Sequence, residues 1–331
     1  MLPSPLLAAF LCLWAEPPAE QPAYDPLSVP EGFAAQPLDL TVHDAARDRE
    51  IPLRVRLPQS EEPAPVLLFS HGLGGSREGG SYLAEHWAAR GYVVVNLQHP
   101  GSDEAVWKDV RLGGRMAAMK RAASAGNLLA RVADVRATLD QFETWNQEAG
   151  HPLHGRLDLT RVGMSGHSFG AVTTQHVAGQ SLGRRGPRGL DPRIDAAVAL
   201  SPSVPSRGDA AEAFGRVAIP WLLMTGTKDD GAGVSMQTPE SRRQVFPNLP
   251  PTIDRYQLVL KDAEHHAFGD VRGFGVRPRN PNHHRAILAL SAAFWDAHLR
   301  ADPAAKAWLH GDGAKSVLEA GDEWDARPAG K

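Results

Sequence analysis

Short runs of apolar residues alternate with helix-like segments along most of the chain. The apolar runs lie at residues 66–69, 92–97, 162–164, 196–200, 221–224 and 256–260, and the helix-like segments at 82–90, 128–145, 172–178 and 283–299. Strands that are buried on both faces of a sheet have unbroken apolar sequences, and helices connect parallel strands. The pattern therefore predicts an α/β fold in which helices cover both faces of a mostly parallel central sheet.

The residues before the first apolar run predict a hairpin and a linker. Strand-like segments at 40–42 and 51–57 flank a polar stretch at 44–49, which is typical of a hairpin. Residues 16–37 are rich in proline and predict a linker. No internal repeat interrupts the later pattern, so we assign residues 38–331 to a single domain.

The N-terminal residues predict an exported protein. An apolar run at 6–14 ends at Ala15, which indicates a signal peptide at residues 1–15 and a secreted or periplasmic location. No basic residue precedes the run, so a cytoplasmic protein with an apolar tail is the alternative. Leu11 stands before Cys12, where a lipoprotein would have a small residue. No later apolar run is long enough to span a bilayer, and we expect no stable membrane insertion.

The composition narrows the classes of partner. The chain has 331 residues, of which 42% are hydrophobic and 22% charged, as in globular proteins that bury a full core. The net charge of -3 provides no excess of cations to neutralise phosphates, so we expect no nucleic-acid partner. Cys12 is the single cysteine, which excludes an intramolecular disulfide and a cysteine-rich zinc site.

The sequence Gly-His-Ser-Phe-Gly at 166–170 closely follows one of the apolar runs. Two glycines allow a strand to turn abruptly into a helix, and the residue between them is then forced outward. Active groups of α/β sheets collect at the carboxyl ends of the strands, which is where Ser168 is predicted to lie. Ser168 is therefore a candidate nucleophile, and it requires a histidine as base and a carboxylate that orients this histidine.

Candidate partners of Ser168 lie in two later loops. Asp229 and Asp230 follow the run at 221–224, and His265 and His266 follow the run at 256–260. The order serine, acid, histidine is typical of the α/β-hydrolase fold. The spacing alone leaves both pairs of neighbours open.

A glycine-rich loop, His-Gly-Leu-Gly-Gly at 71–75, follows the run at 66–69. The negative oxygen that forms when a serine attacks a carbonyl group requires backbone N–H donors. These donors are commonly the residue after the nucleophile and a residue in the loop after an early strand. The sequence therefore predicts Phe169 and Leu73 as oxyanion donors.

Three segments of the chain resemble bacterial dienelactone-hydrolase-like proteins related to platelet-activating-factor acetylhydrolase, within the α/β-hydrolase superfamily. They are FSHGLGGSREGGSYLAEHWAARGYVVVNLQHPGSD at 69–103, LLARVADVRATLDQFETW at 128–145 and VGMSGHSFGAVTT at 162–174. The resemblance extends over most of residues 40–299. It implies serine-dependent ester hydrolysis without a metal or organic cofactor, with Ser168 as nucleophile and Leu73 and Phe169 as oxyanion donors.

The resemblance also distinguishes between the neighbouring candidates. The related pattern Gly-Thr-x-Asp ends at its functional carboxylate, which selects Asp229, and Asp230 is then expected to cap the following turn. A histidine followed three residues later by an aromatic residue selects His265. His266 is interpreted as a neighbouring loop residue or a substrate contact.

One feature departs from the acetylhydrolase branch. That branch has its acid just after the strand that follows the nucleophile helix, where this chain has Ala-Leu-Ser-Pro-Ser at 199–203. The acid is therefore expected after a later strand, as in dienelactone hydrolases. The departure weakens the transfer of phospholipid specificity to this chain.

Other candidates have simpler interpretations. His167 is interpreted as a packing and hydrogen-bonding residue, Trp107 as an aromatic wall of the site, and Trp221 as a core residue. The pair His283 and His284 could suggest a metal site together with the histidines at 265 and 266. Adjacent side chains on a helix point about 100° apart, however, so we expect no metal site.

The predicted substrate is a small-molecule or polymeric ester. The connection at 201–219 is too short for a cap domain, so we expect an open site with walls at 100–126 and 231–251. An open site suits small or extended esters. A polyester or phospholipid esterase is one alternative, and a catalytically silent binding module of the same fold is another.

Overall fold

The computed structural model describes residues 23–182, 186–231, 233–270 and 280–330. The predicted signal peptide at 1–15, Cys12 and the first part of the predicted linker lie outside the described residues.

The strands form one sheet with a mostly parallel centre. In chain order they are β1 (Pro37–Asp44), β2 (Arg49–Arg56), β3 (Ala64–Ser70), β4 (Val93–Leu97), β5 (Leu157–His167), β6 (Ala196–Leu200), β7 (Trp221–Lys228), β8 (Arg255–Glu264) and β9 (Glu323–Arg327). Their spatial order is β1-β2-β4-β3-β5-β6-β7-β8-β9. The central strands from β4 to β8 pair in parallel, while β1, β2 and β9 pair antiparallel. The predicted mostly parallel sheet and the opening hairpin are confirmed.

Helices cover both faces of this sheet. In chain order they are α1 (Ser81–Ala89), α2 (Ala105–Lys108), α3 (Arg115–Ala122), α4 (Ala125–Gln147), α5 (Phe169–Val177), α6 (Ala210–Phe214), α7 (Pro239–Arg243), α8 (Pro281–Leu299), α9 (Pro303–His310) and α10 (Asp312–Lys315).

In the described part of the chain, no helix combines the length and the apolar character that a membrane crossing requires.

Alternate residues of the central strands enter two different cores. Leu67 of β3 belongs to the cluster that contains Trp295 of α8, whereas Leu68 belongs to the cluster that contains Phe142 of α4. Successive side chains of a strand point to opposite faces of its sheet, so a strand covered on both sides must be apolar at every position. This requirement explains the unbroken apolar runs. The mostly parallel sheet with helices on both faces is of the α/β-hydrolase type.

The carboxyl ends of the parallel strands are not covered by an inserted domain between β6 and β7. That connection is described throughout, and it contains the five-residue helix α6 as its only regular element. The predicted absence of a large cap at this position is therefore confirmed. The loops that follow β3, β5, β7 and β8 meet at this edge of the sheet.

The described part of the predicted linker packs against the domain. The Tyr24 hydroxyl donates to Asp296 Oδ2 at 2.7 Å, and Arg90 Nη1 donates to the carbonyl oxygens of Asp25 (3.1 Å) and Ser28 (2.8 Å). Asp296 is buried on α8, and Arg90 follows α1. Residues 24–28 are thus attached to both helices of one face.

The sequence pattern did not predict β9. Its sequence Glu-Trp-Asp-Ala-Arg has no apolar run, and its residues are exposed or half-buried. An edge strand pairs on one side only, here with β8, and needs no continuous apolar sequence. The strand therefore depends on a partner that is distant in sequence.

Tyr24→Phe tests the attachment of the N-terminal segment. The variant keeps the ring but loses the hydrogen bond to the buried Asp296 carboxylate, and we expect the free energy of unfolding to fall by about 1 to 2 kcal/mol. Urea unfolding provides the measurement. Val29→Ala is the control, because Val29 in the same segment is 42% exposed and should change stability by less than about 0.5 kcal/mol. Equal stability of Tyr24→Phe and the native protein would contradict this attachment.

Candidate active site

Ser168 lies at a strained corner between β5 and α5. β5 ends at His167, α5 begins at Phe169, and Ser168 has φ 58° and ψ −114°. A residue with a Cβ atom rarely adopts such a conformation, which costs about 1 to 3 kcal/mol. The Ser168 amide donates to the Leu200 carbonyl at 2.9 Å and ties the corner to β6. The predicted abrupt turn is therefore present.

The two glycines that flank this corner have no room for a side chain. A Cβ atom on Gly166 would lie 2.4 Å from the Gly170 carbonyl oxygen. A Cβ atom on Gly170 would lie 1.8 Å from the Ser70 carbonyl oxygen at the end of β3. Both obstacles are backbone atoms, so no rotation of a side chain could relieve them.

His265 connects Ser168 to Asp229. His265 Nε2 lies 2.8 Å from Ser168 Oγ, and His265 Nδ1 lies 2.7 Å from Asp229 Oδ1. The carboxylate accepts, so Nδ1 carries the proton and Nε2 accepts from the serine hydroxyl. This arrangement leaves the lone pair of Nε2 available to remove the hydroxyl proton.

Asp229 is fully buried and remains a carboxylate. Its Oδ2 accepts from Thr225 Oγ1 at 2.9 Å, and Arg242 Nε lies 3.2 Å from Oδ1. Burial by itself would raise the pKa of Asp229, but the hydrogen bond from His265 and the charge of Arg242 outweigh it and lower the pKa. The group that orients His265 is therefore negatively charged at neutral pH.

The neighbours of these residues lie in different surroundings. Asp230 is exposed, and its carbonyl oxygen accepts from Arg242 Nη2 at 3.0 Å. His266 Nδ1 lies 3.5 Å from Glu264 Oε2. Asp229 and His265 are thus the members of the two pairs that the structure brings to Ser168.

His167 supports the backbone of the histidine loop. Its Nε2 donates to the His265 carbonyl oxygen at 3.1 Å. Desolvation, together with the nearby His265, lowers the pKa of His167 to about 3, so the ring is neutral at neutral pH. The contact agrees with the interpretation of His167 as a hydrogen-bonding residue.

The glycine-rich loop after β3 lies beside Ser168. A Cβ atom on Gly72 would be 3.5 Å from Ser168 Cβ. The Gly74 amide donates to the Ser102 carbonyl at 2.8 Å, and Trp107 Nε1 donates to the Gly74 carbonyl at 2.7 Å. Leu73 is held between these anchored residues. Phe169 supplies the first amide of α5, and the first amides of a helix have no acceptor within it.

Sequence reasoning missed two buried charged residues behind this loop. Arg131 and Asp134 lie on α4 and are fully buried. They occupy the stripe of α4 that also buries Val135 and Phe142, where the helical pattern predicts apolar residues. A charged residue within an apolar stripe is the signal that could have identified them.

The other sequence candidates do not meet at Ser168. His283 Nε2 donates to the Lys261 carbonyl at 3.1 Å, and the ring of His284 stacks on Tyr82 at 3.7 Å. The described residues contain no group of three or more histidine, cysteine or acidic side chains that could hold a metal ion. Trp221 is buried against Phe214 in the core, as interpreted from its apolar run.

A comparison with protein-family models matches residues 49–113 to the family described as platelet-activating factor acetylhydrolase, isoform II. The matched segment includes β3, the glycine-rich loop and β4. No curated protein matches the chain. The match supports a platelet-activating-factor-acetylhydrolase-like protein of the α/β-hydrolase type, and a hydrolase or esterase in general.

Gly170→Ala tests the packing of the serine corner. The added Cβ atom would overlap the Ser70 carbonyl, so we expect the free energy of unfolding to fall by about 3 kcal/mol or more. Gly113→Ala is the matched control, because nothing lies within 4 Å of a Cβ atom there and its effect should stay below about 0.5 kcal/mol. Urea unfolding of both variants measures the difference. Similar stabilities would show that the corner relaxes without cost.

Proposed function

From the contacts of Ser168 and the similarity to the acetylhydrolase family, we propose that the protein is a serine carboxylic-ester hydrolase that forms an acyl-enzyme. The observation that carries this proposal is the chain of contacts from Ser168 Oγ to His265 (2.8 Å) and from His265 to Asp229 (2.7 Å). Nucleophile, base and orienting carboxylate in this geometry are the parts that acyl transfer to serine requires.

In the proposed acylation step, Ser168 Oγ attacks the ester carbonyl carbon while His265 Nε2 removes the hydroxyl proton. Asp229 stabilises the imidazolium that forms and holds its Nδ1 proton in place. His265 then donates the proton from Nε2 to the leaving alcohol oxygen. The carbon–oxygen bond of the ester breaks, and the acyl group stays on Ser168.

The tetrahedral intermediate carries a negative oxygen, which we assign to the Leu73 and Phe169 amides. Preorganised N–H donors act strongly here because charge develops only as the reaction proceeds. In deacylation, His265 Nε2 removes a proton from water while the water oxygen attacks the acyl carbon. The bond between this carbon and Ser168 Oγ then breaks, His265 returns the proton to Ser168 Oγ, and the acid is released. No step of this proposal uses a metal ion or an organic cofactor.

The proposed substrate is a small-molecule, lipid or polymeric ester. The helical wall at α2 and α3 presents Trp107 and Met119 to Gly74, because a Cβ atom on this glycine would lie within 3 Å of both side chains. An apolar wall beside the oxyanion loop suits an acyl or alkyl group. A polyester or phospholipid esterase is a form of the same proposal, and a silent binding module is the alternative that the tests below distinguish.

We further propose a dienelactone-hydrolase-like subtype from the position of the acid. Asp229 follows β7, whereas the position after β6 is occupied by Ser201. The carboxylate thus reaches His265 from the strand next to β8, which precedes the histidine.

Export through the segment at 1–15 is also part of the proposal, and an intact-mass measurement on protein from its native host would test it.

Labelling with a fluorophosphonate tests the proposal directly. We expect covalent modification at Ser168, together with loss of p-nitrophenyl ester hydrolysis, because an activated serine attacks the electrophilic phosphorus. Ser168→Ala should be neither labelled nor active. A native protein that is folded but neither labelled nor active would identify the silent binding module.

Substitutions of the acid and the base test the assigned roles. Asp229→Asn keeps the shape but loses the charge that stabilises the imidazolium, so kcat should fall by about 10³-fold to 10⁴-fold. Asp230→Asn is the matched control and should cost far less. His265→Ala should approach the loss of Ser168→Ala, and the double variant should be scarcely worse than either, because the residues act as one unit.

Steady-state kinetics on p-nitrophenyl esters provide these measurements. His266→Ala is the control for the histidine and should change mainly KM or stability. A larger loss in Asp230→Asn than in Asp229→Asn, or in His266→Ala than in His265→Ala, would contradict the assignment.

A further inference from the structure

We propose that Arg131 is a positioning residue that aligns the two oxyanion donors, Leu73 and Phe169. The inference rests on the proposed function and concerns a residue outside the serine, histidine and acid. Arg131 lies on α4, is fully buried and contacts the glycine-rich loop, the loop after β4 and the first residue of α5.

The guanidinium of Arg131 satisfies the backbone of two loops. Its Nη1 donates to the His71 carbonyl at 2.6 Å, and its Nε donates to Ser102 Oγ at 2.8 Å. Its Nη2 donates to the Ser102 carbonyl at 3.3 Å and lies 3.5 Å from the Gly72 carbonyl oxygen. Buried carbonyl groups need donors, and a guanidinium offers five N–H groups in a fixed plane. One side chain therefore fixes both loops relative to α4.

These contacts determine the direction of the Leu73 amide. The Gly72 carbonyl and the Leu73 N–H belong to one trans peptide plane and point in opposite directions. The Gly72 oxygen accepts from His71 Nδ1 at 2.6 Å and from the Gly75 amide at 3.1 Å, and faces Arg131. The Leu73 N–H is consequently directed away from this buried network, in a loop that adjoins Ser168.

His71 completes this arrangement through a single tautomer. Its Nε2 accepts from the His99 amide at 3.1 Å, so Nδ1 carries the proton that is donated to the Gly72 carbonyl. Burial and the charge of Arg131 hold the pKa of His71 well below its usual range. The ring therefore stays neutral, and the direction of its hydrogen bonds is fixed.

A chain of buried hydrogen bonds links Arg131 to Asp134. Arg131 Nη1 donates to Ser70 Oγ at 3.3 Å, Ser70 Oγ lies 2.9 Å from His99 Nε2, and His99 Nδ1 lies 2.9 Å from Asp134 Oδ2. Burial by itself would raise the pKa of Asp134. The contacts with His99 and Arg49 outweigh this effect and lower the pKa to about 2. Asp134, at one end of this chain of hydrogen bonds, therefore stays negatively charged at neutral pH. Each polar side chain between Arg131 and Asp134 in this chain of hydrogen bonds has a partner.

Arg131 also contacts the second donor. Its Cζ atom lies 4.6 Å from the centre of the Phe169 ring, at a distance typical of a cation–π contact. The Ser168 carbonyl accepts from the Val172 amide at 3.1 Å, so the Phe169 N–H of the same peptide plane points out of the start of α5. The guanidinium thus packs against the residue that carries one donor while it fixes the loop that carries the other.

The test compares Arg131→Met and Arg131→Lys with Arg136→Met. Arg136 lies on the same helix but donates to the carbonyl oxygens of Arg188 and Leu190, away from the glycine-rich loop. Three quantities are measured for each protein: turnover per site titrated with a fluorophosphonate, KM, and the inhibition constant of an aryl boronic acid, whose serine adduct is tetrahedral. Thermal unfolding verifies that each variant is folded.

We expect Arg131→Met to lower kcat per titrated site by about 100-fold, as removal of an oxyanion donor does. KM should change by less than about threefold, because the donors act on the transition state and not on the bound ester. Boronic acid affinity should fall in parallel with kcat/KM. Arg131→Lys keeps the charge and should retain part of the activity, and Arg136→Met should match the native protein.

Several outcomes would overturn the inference. One is a turnover of Arg131→Met per titrated site within about twofold of the native value. Another is a loss of kcat in Arg131→Met without a loss of boronic acid affinity. Failure of both Arg131 variants to fold would assign the residue to stability and not to the donors. Failure of the proposed function is seen separately, because the native protein would then be neither labelled nor active.

Discussion

The backbone of Ser168 is the constraint on which the rest of the site depends. Its φ of 58° persists because the strand before it and the helix after it are fixed by their neighbours. The Ser168 amide is bound to Leu200 of β6, and Gly170 of α5 lies against the Ser70 carbonyl of β3. The same close contact brings the start of α5 to the glycine-rich loop after β3. The corner is therefore both the support of the serine and the joint between the parts that surround it.

Two buried arginines stabilise the loops around this corner. Arg131 donates to the carbonyl groups of His71 and Ser102, and Arg242 donates to those of Ser201, Pro202, Asp229 and Asp230. Loops that leave a sheet lose the hydrogen bonds of the strand ladder, and their buried carbonyl groups must find other donors. A guanidinium supplies several donors at once, so one residue holds two chain segments together. Arg242 in addition helps to keep Asp229 ionised. The two arginines at this edge of the sheet thus bind backbone carbonyl groups, and Arg242 also pairs with a carboxylate.

The apolar runs predicted the central sheet because a strand covered on both faces leaves few other sequence choices. The Gly-His-Ser-Phe-Gly sequence located Ser168, and the order of the later loops brought Asp229 and His265 into consideration. The structure places His265 in contact with Ser168 and Asp229 in contact with His265; their catalytic roles stay predictions. β9 escaped prediction because an edge strand depends on its partner and not on its own apolar content. Arg131 escaped because a charged residue on a helix is ordinarily solvated, and its burial depends on carbonyl groups contributed by loops distant in sequence. The described end of the proline-rich segment was predicted as a linker, yet Tyr24 reaches Asp296 through a contact that no local pattern encodes.

The hydrogen bond from Trp107 to the Gly74 carbonyl joins the helical segment of α2 and α3 to the glycine-rich loop, so that neither can shift without the other. Met119 of α3 reaches the same glycine, so the wall touches the loop at two points. If the protein is the ester hydrolase proposed above, a change in this helical segment that accommodates a different ester would also displace the residue next to Leu73. Selectivity and turnover of the proposed enzyme could then not be adjusted independently at these positions, and compensating changes in the glycine-rich loop would have to accompany a new specificity.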